Sequence, residues 1–318
     1  RVDPAWPSDG RALCTARAVQ SEPAIVADGA GGAIITWVDR RSDDSHIYVQ
    51  HVLASGAVDP AWPADGRALY TATGGQDVPK IVADGAGGAI VAWHDERSDY
   101  GDIYAQHVLA SGVVDPGWPS DGRALCTAYE DQTGHVMVDD GAGGASVAWS
   151  DLRGGYTGYI DSYAQHVLAS GAVDPAWPIN GRILCTASDD QYIGGIVSDR
   201  AGGAIVAWTD LRSGRYDIYA QHLLASGALD PAWPAAGRAI CTATPGSRYG
   251  PAIVAHGVGG AIITWPDART TNYDIYAQHV RASGTVDPAW PADGRALCTA
   301  NGDQFNISIA ADGAGRAI

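Results

Sequence analysis

A repeat of about 56 residues runs through the whole sequence and constrains the fold more than any other feature. The segment DPAW (DPGW in the third copy) recurs at steps of 56, 56, 59, 56 and 57 residues. A second segment, DGAGGAI or a close variant, recurs in phase with it. Self-similarity at this period is typical of propellers and solenoids, in which each unit buries its apolar faces against its neighbours. The two segments account for all 11 tryptophans, which are Trp6, Trp62, Trp118, Trp177, Trp233 and Trp290 in the first, and Trp37, Trp93, Trp149, Trp208 and Trp265 after the second.

Each copy predicts four short strands. In the second copy they cover residues 79–84, 87–95, 102–110 and 122–128, with alternating apolar residues and glycine-rich turns between them. The sequence therefore predicts an all-β fold, a six-bladed β-propeller with four antiparallel strands in each blade. We expect one domain over residues 1–318, with repeats that start near residues 1, 57, 113, 172, 228 and 285.

The predicted sixth blade is incomplete. Residues 1–16 supply only an outermost strand, and residues 306–318 supply a first strand and part of a second. A five-bladed ring with overhanging strands is the alternative. Open strand edges pair readily with other chains, and a repeated contact that does not close makes a filament. We therefore expect a non-enzymatic extracellular scaffold that associates with itself, either as filaments or as part of a tandem propeller array.

Composition excludes several classes of protein. The formal net charge of −16 argues against a nucleic-acid partner, whose phosphates require a basic surface. There is no run of 18 apolar residues, so no membrane insertion is predicted, and we expect a secreted or cell-surface protein. Five cysteines occupy one repeat position, too far apart in neighbouring blades for disulfides, and are expected to be small buried residues; the odd count leaves room for an intermolecular bridge. They are Cys14, Cys126, Cys185, Cys241 and Cys298.

The stretch from residue 79 to residue 108, PKIVADGAGGAIVAWHDERSDYGDIYAQHV, resembles the blade of TolB-type and related secreted bacterial propellers. In those blades a strand with tryptophan or phenylalanine leads through Asp and Arg into a DIY strand. The resemblance covers every repeat and implies a fold rather than an activity. The inserted VDPAWPxDG loop and the DGAGG turn depart from the TolB pattern.

The repeated WxDxR motif and the repeated histidines are interpreted as structural. An arginine fork suits a carboxylate, but each arginine has its own aspartate, as Arg97 has Asp95, and catalytic sites are seldom copied five times. The histidines of YAQH lie on the third strands, have no partner at metal-binding spacing, and are expected to be packed or at the surface. No metal, cofactor or catalytic residue is predicted. The histidines are His51, His107, His166, His222 and His279.

The loops between the second and third strands vary between copies and are the predicted ligand-binding face. Their tyrosines lie beside Asp and Arg, a mixture suited to glycans or to a surface protein, so a lectin-like adhesin is the second functional hypothesis. A sialidase-like glycosidase is the third. It requires one blade with carboxylates that the others lack, and the sequence shows no such blade, so we predict that the chain is not an enzyme. The candidate tyrosines are Tyr100, Tyr156, Tyr159, Tyr216 and Tyr273.

Overall fold

The computed structural model describes residues 6–71, 73–98, 100–154, 158–312 and 317–318. Within these ranges all regular structure is β, and the strands form five sheets of four antiparallel strands. The predicted all-β propeller class is confirmed. The number of complete sheets is that of the five-bladed alternative. The residues assigned to a sixth blade contribute no strand to a sheet in the described part of the chain; Ala311 and Ala317 form an isolated bridge.

The five sheets follow one another along the chain, and we call them sheets one to five. Their strands are, for sheet one, β1 (Gln20–Ala27), β2 (Ala33–Asp39), β3 (His46–Val52) and β4 (Arg67–Ala68); for sheet two, β5 (Gln76–Ala83), β6 (Ala89–Asp95), β7 (Asp102–Val108) and β8 (Arg123–Cys126); for sheet three, β9 (Gln132–Asp139), β10 (Ala145–Asp151), β11 (Asp161–Val167) and β12 (Arg182–Ile183); for sheet four, β13 (Gln191–Ser198), β14 (Ala204–Asp210), β15 (Asp217–Leu223) and β16 (Arg238–Cys241); and for sheet five, β17 (Ala252–His256), β18 (Gly260–Asp267), β19 (Asp274–Val280) and β20 (Arg295–Cys298).

The turn between the first and second strands explains the DGAGG segment. In sheet two, Asp84 Oδ1 accepts hydrogen bonds from the backbone N–H groups of Ala86 and Gly88, at 2.7 and 2.8 Å. Gly87 has a φ of +89°, which L-residues rarely adopt. A Cβ on Gly88 would lie 2.4 Å from the carbonyl oxygen of Val108. This turn therefore needs both the aspartate and the glycines.

Two sets of tryptophans form the interior. Those of the second strands are at most 5% exposed, and three of them, Trp37, Trp93 and Trp265, belong to apolar clusters. Those of the DPAW loops, except Trp290, pack on a glycine of the repeat that follows in the chain. Trp62 packs on Gly112, where a Cβ would lie 2.7 Å from the ring, and its Nε1 donates to the Ala110 carbonyl at 3.3 Å. Trp177 packs on Gly227 in the same way. In each of these pairs, an indole ring from one repeat packs against a glycine of the next, where there is no side chain to block it.

The chain divides into two compact units. Unit 1 comprises Arg1–Thr133, Gly141–Ala145 and His166–Asp174, and unit 2 comprises Gly134–Asp140, Ser146–Gln165 and Pro175–Ile318. Sheets one and two lie in unit 1, and sheets four and five lie in unit 2. Among the described residues, no helix is long and apolar enough to cross a membrane.

Candidate functional site

The repeated Asp and Arg of WxDxR are bound to each other within every sheet. In sheet two, the buried Asp95 accepts from Trp93 Nε1 at 2.7 Å and from Arg97 Nε and Nη2, both at 2.6 Å. The Arg97 guanidinium lies 3.8 Å above the centre of the Tyr104 ring. The Trp–Asp bond and the bond from the arginine Nη2 to the aspartate recur in the other sheets. These groups brace the turn and are bound to each other, so they are poorly placed to hold a ligand.

The YAQH histidines lie between two carboxylates. His107 Nδ1 lies 2.8 Å from Asp115 Oδ2, and its Nε2 lies 3.0 Å from Asp84 Oδ2. Burial acts to raise the pKa of Asp84, but the hydrogen bonds from His107 and from the turn outweigh it and the pKa is lowered. His51 and His222 repeat the arrangement. These side chains are buried, so the surface alternative is wrong for them, and they tie the first turn to the DPAW loop.

In sheet five the first-turn aspartate is replaced by His256, whose Nδ1 lies 3.0 Å from Nε2 of His279. The cysteines are free. Burial raises the pKa of the Cys241 thiol to about 11, which keeps it protonated and unreactive at neutral pH.

A row of aromatic side chains runs across unit 2. Successive ring centres are 6.4, 4.7, 5.9 and 4.8 Å apart, and neighbouring rings are tilted by about 50° to one another. The first, third and fifth rings are 36%, 38% and 52% exposed, so the row faces solvent. We call it the aromatic row; in order, its members are Tyr192, Tyr216, Tyr249, Tyr273 and Phe305.

Two kinds of backbone position alternate along the row. Tyr216 and Tyr273 immediately precede a third strand, whereas Tyr192, Tyr249 and Phe305 occupy the position just inside the first strand or its equivalent. Backbone hydrogen bonds dock these segments together. The N–H groups of Arg248 and Gln304, each one residue before a row member, donate to the carbonyls of Tyr216 and Tyr273, at 3.0 and 2.8 Å. The repeat itself therefore brings the rings into one series.

Part of the row lines a cleft of about 280 Å³. The Tyr192 hydroxyl donates to Asp190 Oδ2 at 3.0 Å, and burial with this bond raises the pKa of Tyr192 to about 12, so the hydroxyl stays protonated. Thr209 Oγ1 accepts from the Gly250 N–H at 3.2 Å. Aromatic faces beside fixed hydroxyl and amide groups form the kind of lining that orients a polar organic ligand. The cleft is lined by Tyr192, Ile193, Thr209, Tyr216, Tyr249 and Gly250.

Sheet two carries a different group at the same edge. Strand register pairs Asp77 with His94, as it pairs Tyr192 with Thr209 in sheet four. His94 Nδ1 lies 3.0 Å from Asp77 Oδ1, and ligand atoms of Asp77, His94 and Glu96 all lie within 4.8 Å of one another. The hydrogen bond that His94 donates to Asp77, with smaller contributions from nearby carboxylates, raises the pKa of His94. Among the residues that the structure describes, no other sheet repeats this cluster of carboxylates and an imidazole.

Asp161, at the start of β11, is a partly buried carboxyl group with a raised pKa. Burial, together with the nearby Asp151 and Asp190, raises its pKa to about 6. The corresponding Asp102 and Asp217 accept hydrogen bonds from Ser98 and Ser213. In sheet three that hydroxyl position is Gly154. Asp161 therefore holds a proton closer to neutral pH than an ordinary carboxyl group.

The structure separates the predicted tyrosines. Tyr216 and Tyr273 lie in the aromatic row, and Tyr100 packs against Tyr129 in unit 1 with ring centres 4.8 Å apart. Tyr159 is 51% exposed. Tyr156 lies outside the described residues. Sequence reasoning missed Tyr192, Tyr249, Phe305 and the sheet-two cluster, although a usable signal existed: the residue after the Gln or Arg at the start of each first strand varies from copy to copy.

Comparison with known proteins shows likeness of fold without close relatives. No protein-family model matches the chain, so the TolB-type resemblance stays a prediction. No curated protein matches either. A Dyadobacter fermentans protein of unknown function is 10% identical over 68% of each chain, with a TM-score of 0.44. A Hadza microbial sialidase is 13% identical over 86% of this chain and 58% of its own, with a TM-score of 0.47. A Penicillium chrysogenum alpha-L-arabinanase is 9% identical over 70% of this chain and 66% of its own, also at 0.47.

These findings correct the expectation of a non-enzymatic structural scaffold. The similar structures whose titles name an activity include a sialidase, an arabinanase, a polysaccharide lyase and glycoside hydrolases, rather than scaffold proteins. The same finding overturns the prediction that the chain is not an enzyme, which had rested on the uniformity of the copies. At these identities the likeness shows the fold, and each activity belongs to the protein that carries it.

Proposed function

We propose that unit 2 binds a neutral carbohydrate chain along the aromatic row. The observation that carries the proposal is the series itself: five rings in sequence, with the first, third and fifth exposed to solvent. The flat C–H faces of a sugar ring carry partial positive charge and pack on the negative face of an aromatic ring. A series of such rings suits a chain of sugars better than a single small molecule.

The polar groups of the row favour the same ligand. The Tyr192 hydroxyl, which donates to Asp190, and the Thr209 hydroxyl, which accepts from Gly250, each keep hydrogen-bonding capacity for sugar hydroxyls beside the apolar faces. The net charge of −16 repels polyanions, so a neutral chain is favoured over a sialylated or sulfated one. A polysaccharide ligand implies a secreted or cell-surface location, which is part of the proposal. Self-association is left as a separate prediction.

The test is a glycan array followed by calorimetric titration of the strongest neutral oligosaccharides. The central ring, Tyr249, contacts two neighbours, so Tyr249→Ala should weaken binding roughly tenfold, since a stacked aromatic contact contributes about 1–1.5 kcal/mol. Tyr249→Phe keeps the ring and should retain most of the affinity. Tyr129→Ala removes an exposed ring of unit 1 and serves as the matched control, with affinity unchanged.

Absence of saturable binding to any neutral glycan, or equal losses in Tyr249→Ala and Tyr129→Ala, contradicts the proposal. Mass spectrometry of the ligand after incubation separates binding from cleavage. Intact oligosaccharide indicates a binding surface alone, whereas shortened products indicate that the row also presents the chain to a catalytic group.

A further inference from the structure

We propose that Asp77, His94 and Glu96 in sheet two form a binding site for a divalent transition-metal ion. One imidazole nitrogen and two carboxylates are a ligand set suited to ions such as Zn²⁺. Their ligand atoms already lie within 4.8 Å of one another. The 3.0 Å between His94 Nδ1 and Asp77 Oδ1 is close to the separation of two adjacent ligands on one metal ion.

The backbone fixes all three residues. Asp77 and His94 are directly opposed across β5 and β6, and Glu96 follows His94 by two residues, with its N–H donating to the Gly75 carbonyl at 2.8 Å. The register shifts just after Asp77, where Val78 has a φ of +50°. The Val78 N–H donates to Glu22 at 2.9 Å, which holds this irregular turn in place. The cluster is therefore built by main-chain geometry rather than assembled from mobile side chains.

The imidazole can use only one nitrogen for this purpose. Its Nε2 is buried without a hydrogen-bond partner in the described part of the chain. A Cβ on Gly101 would lie 1.7 Å from Nε2, so the ring is packed against this glycine and leaves no room for an ion there. Nδ1 faces the carboxylates instead. The Asp77 side chain is 37% exposed and Glu96 is exposed, which gives an ion access from solvent.

The ligand set is particular to this sheet. Register and spacing place Ser21, Val38 and Arg40 at the same positions in sheet one, and Tyr192, Thr209 and Leu211 in sheet four. If the cluster were needed to hold a blade together, the other blades would carry it. Its confinement to one sheet favours a ligand-binding role, and three protein ligands leave coordination positions open for water or a bound molecule.

The test is titration of the full-length, chelator-treated chain with Zn²⁺ by calorimetry, and with Co²⁺ by visible absorption. One ion should bind per chain. His94→Val, which introduces the residue of sheet one, should weaken Zn²⁺ binding roughly a hundredfold, and the exposed Glu96→Gln roughly tenfold. Glu96→Gln keeps the proposal testable if His94→Val does not fold.

His256→Asp is the matched control, because it removes a histidine from the other close pair that an ion might choose, that of His256 and His279. Zn²⁺ affinity should be unchanged in this variant. Loss of binding in His256→Asp, unaltered affinity in both His94→Val and Glu96→Gln, or the absence of saturable binding overturns the proposal. Glycan binding by Tyr249 variants is measured separately, so either proposal can fail without the other.

Discussion

Sheets two and four are copies of one unit, yet the same edge of each carries different chemistry. Sheet four has Tyr192 beside Thr209 and Tyr216, which form an aromatic cleft. Sheet two has Asp77 beside His94 at the paired positions. Both edges rest on the same Trp, Asp and Arg brace. The Trp, Asp and Arg brace is therefore the same in the two sheets, and the residues at the edge differ.

The position before the third strand shows how the two edges exclude each other. It is Tyr216 in sheet four and Gly101 in sheet two. The glycine is required because the His94 ring occupies the space where a side chain would start. The tyrosine is possible because Thr209 is small. A blade of this type can hold either the imidazole or the aromatic ring at that place.

The largest expected difference concerns the brace. Asp267 in sheet five accepts from Arg269 and also from the fully buried Arg248, whereas the arginine that donates to Asp95 is Arg97. Asp267→Ala should lower the free energy of unfolding by about 3 kcal/mol, because it removes one of the two carboxylates, Asp267 and Asp217, that pair with the buried Arg248. Asp95→Ala should cost less, about 2 kcal/mol, because Arg97 reaches solvent. Urea denaturation measures both.

The double variant Asp267→Ala with Arg248→Gln isolates the cause. Glutamine is the residue at this position in the other four sheets. The double variant should lose about the same free energy of unfolding as Asp95→Ala, because the buried Arg248 charge is no longer present. Equal losses in the two single variants would show that Arg248 contributes nothing beyond the common brace.

The steric conflict between the His94 ring and any side chain at position 101 can be tested by substitution. Gly101→Ala should destabilise the protein by about 2 kcal/mol, since a Cβ there overlaps the His94 ring and forces repacking. In a His94→Val background the same substitution should cost little, since the obstructing ring is gone. The measurement is a double-mutant cycle from denaturant unfolding. Identical costs in the two backgrounds would rule out the proposed steric coupling.

The sequence predicted the features that the copies share and missed those in which they differ. The Trp and Asp of each motif lie two residues apart on one strand, and the Arg follows two residues beyond the end of that strand, so their contact follows from local geometry. Asp77 and His94 are 17 residues apart, and their contact depends on the register shift after Asp77, where Val78 adopts a positive φ that no propensity indicates. The aromatic row likewise required contacts between consecutive repeats.

The histidines that lie between two carboxylates offer a test with a smaller expected effect. Asp84 and Asp199 each hold a histidine and cap the first turn, but sheet five has His256 at this position. His256→Asp should restore the bridge and the turn hydrogen bonds, and raise the free energy of unfolding by about 1 kcal/mol. Thermal and urea unfolding at neutral pH provide the measurement. A loss of stability would mean that the paired imidazoles have a role of their own in sheet five.

The smallest effect is the pH dependence of sheet three. Because the folded pKa of Asp161 is raised to about 6, from an ordinary value of 3.8, its protonated form favours folding. That contribution is complete below about pH 4 and is lost as the pH rises through 6. Relative to wild type, Asp161→Asn should therefore gain stability between pH 4 and 7, by less than about 1 kcal/mol given the partial exposure of the group.

Exchanging the residues at one repeat position, Gly154 in sheet three and Ser98 in sheet two, tests why the pKa of Asp161 is raised. Gly154→Ser introduces the hydroxyl that binds Asp102 and Asp217 elsewhere, so it should lower the Asp161 pKa and flatten the pH dependence. Ser98→Gly removes that hydroxyl from sheet two and should raise the pKa of Asp102, which burial already raises. Urea midpoints measured from pH 4 to pH 7 compare the two. If both exchanges leave the pH profile unchanged, the missing hydroxyl is not what distinguishes Asp161, and burial together with the carboxylates of Asp151 and Asp190 remains as the cause.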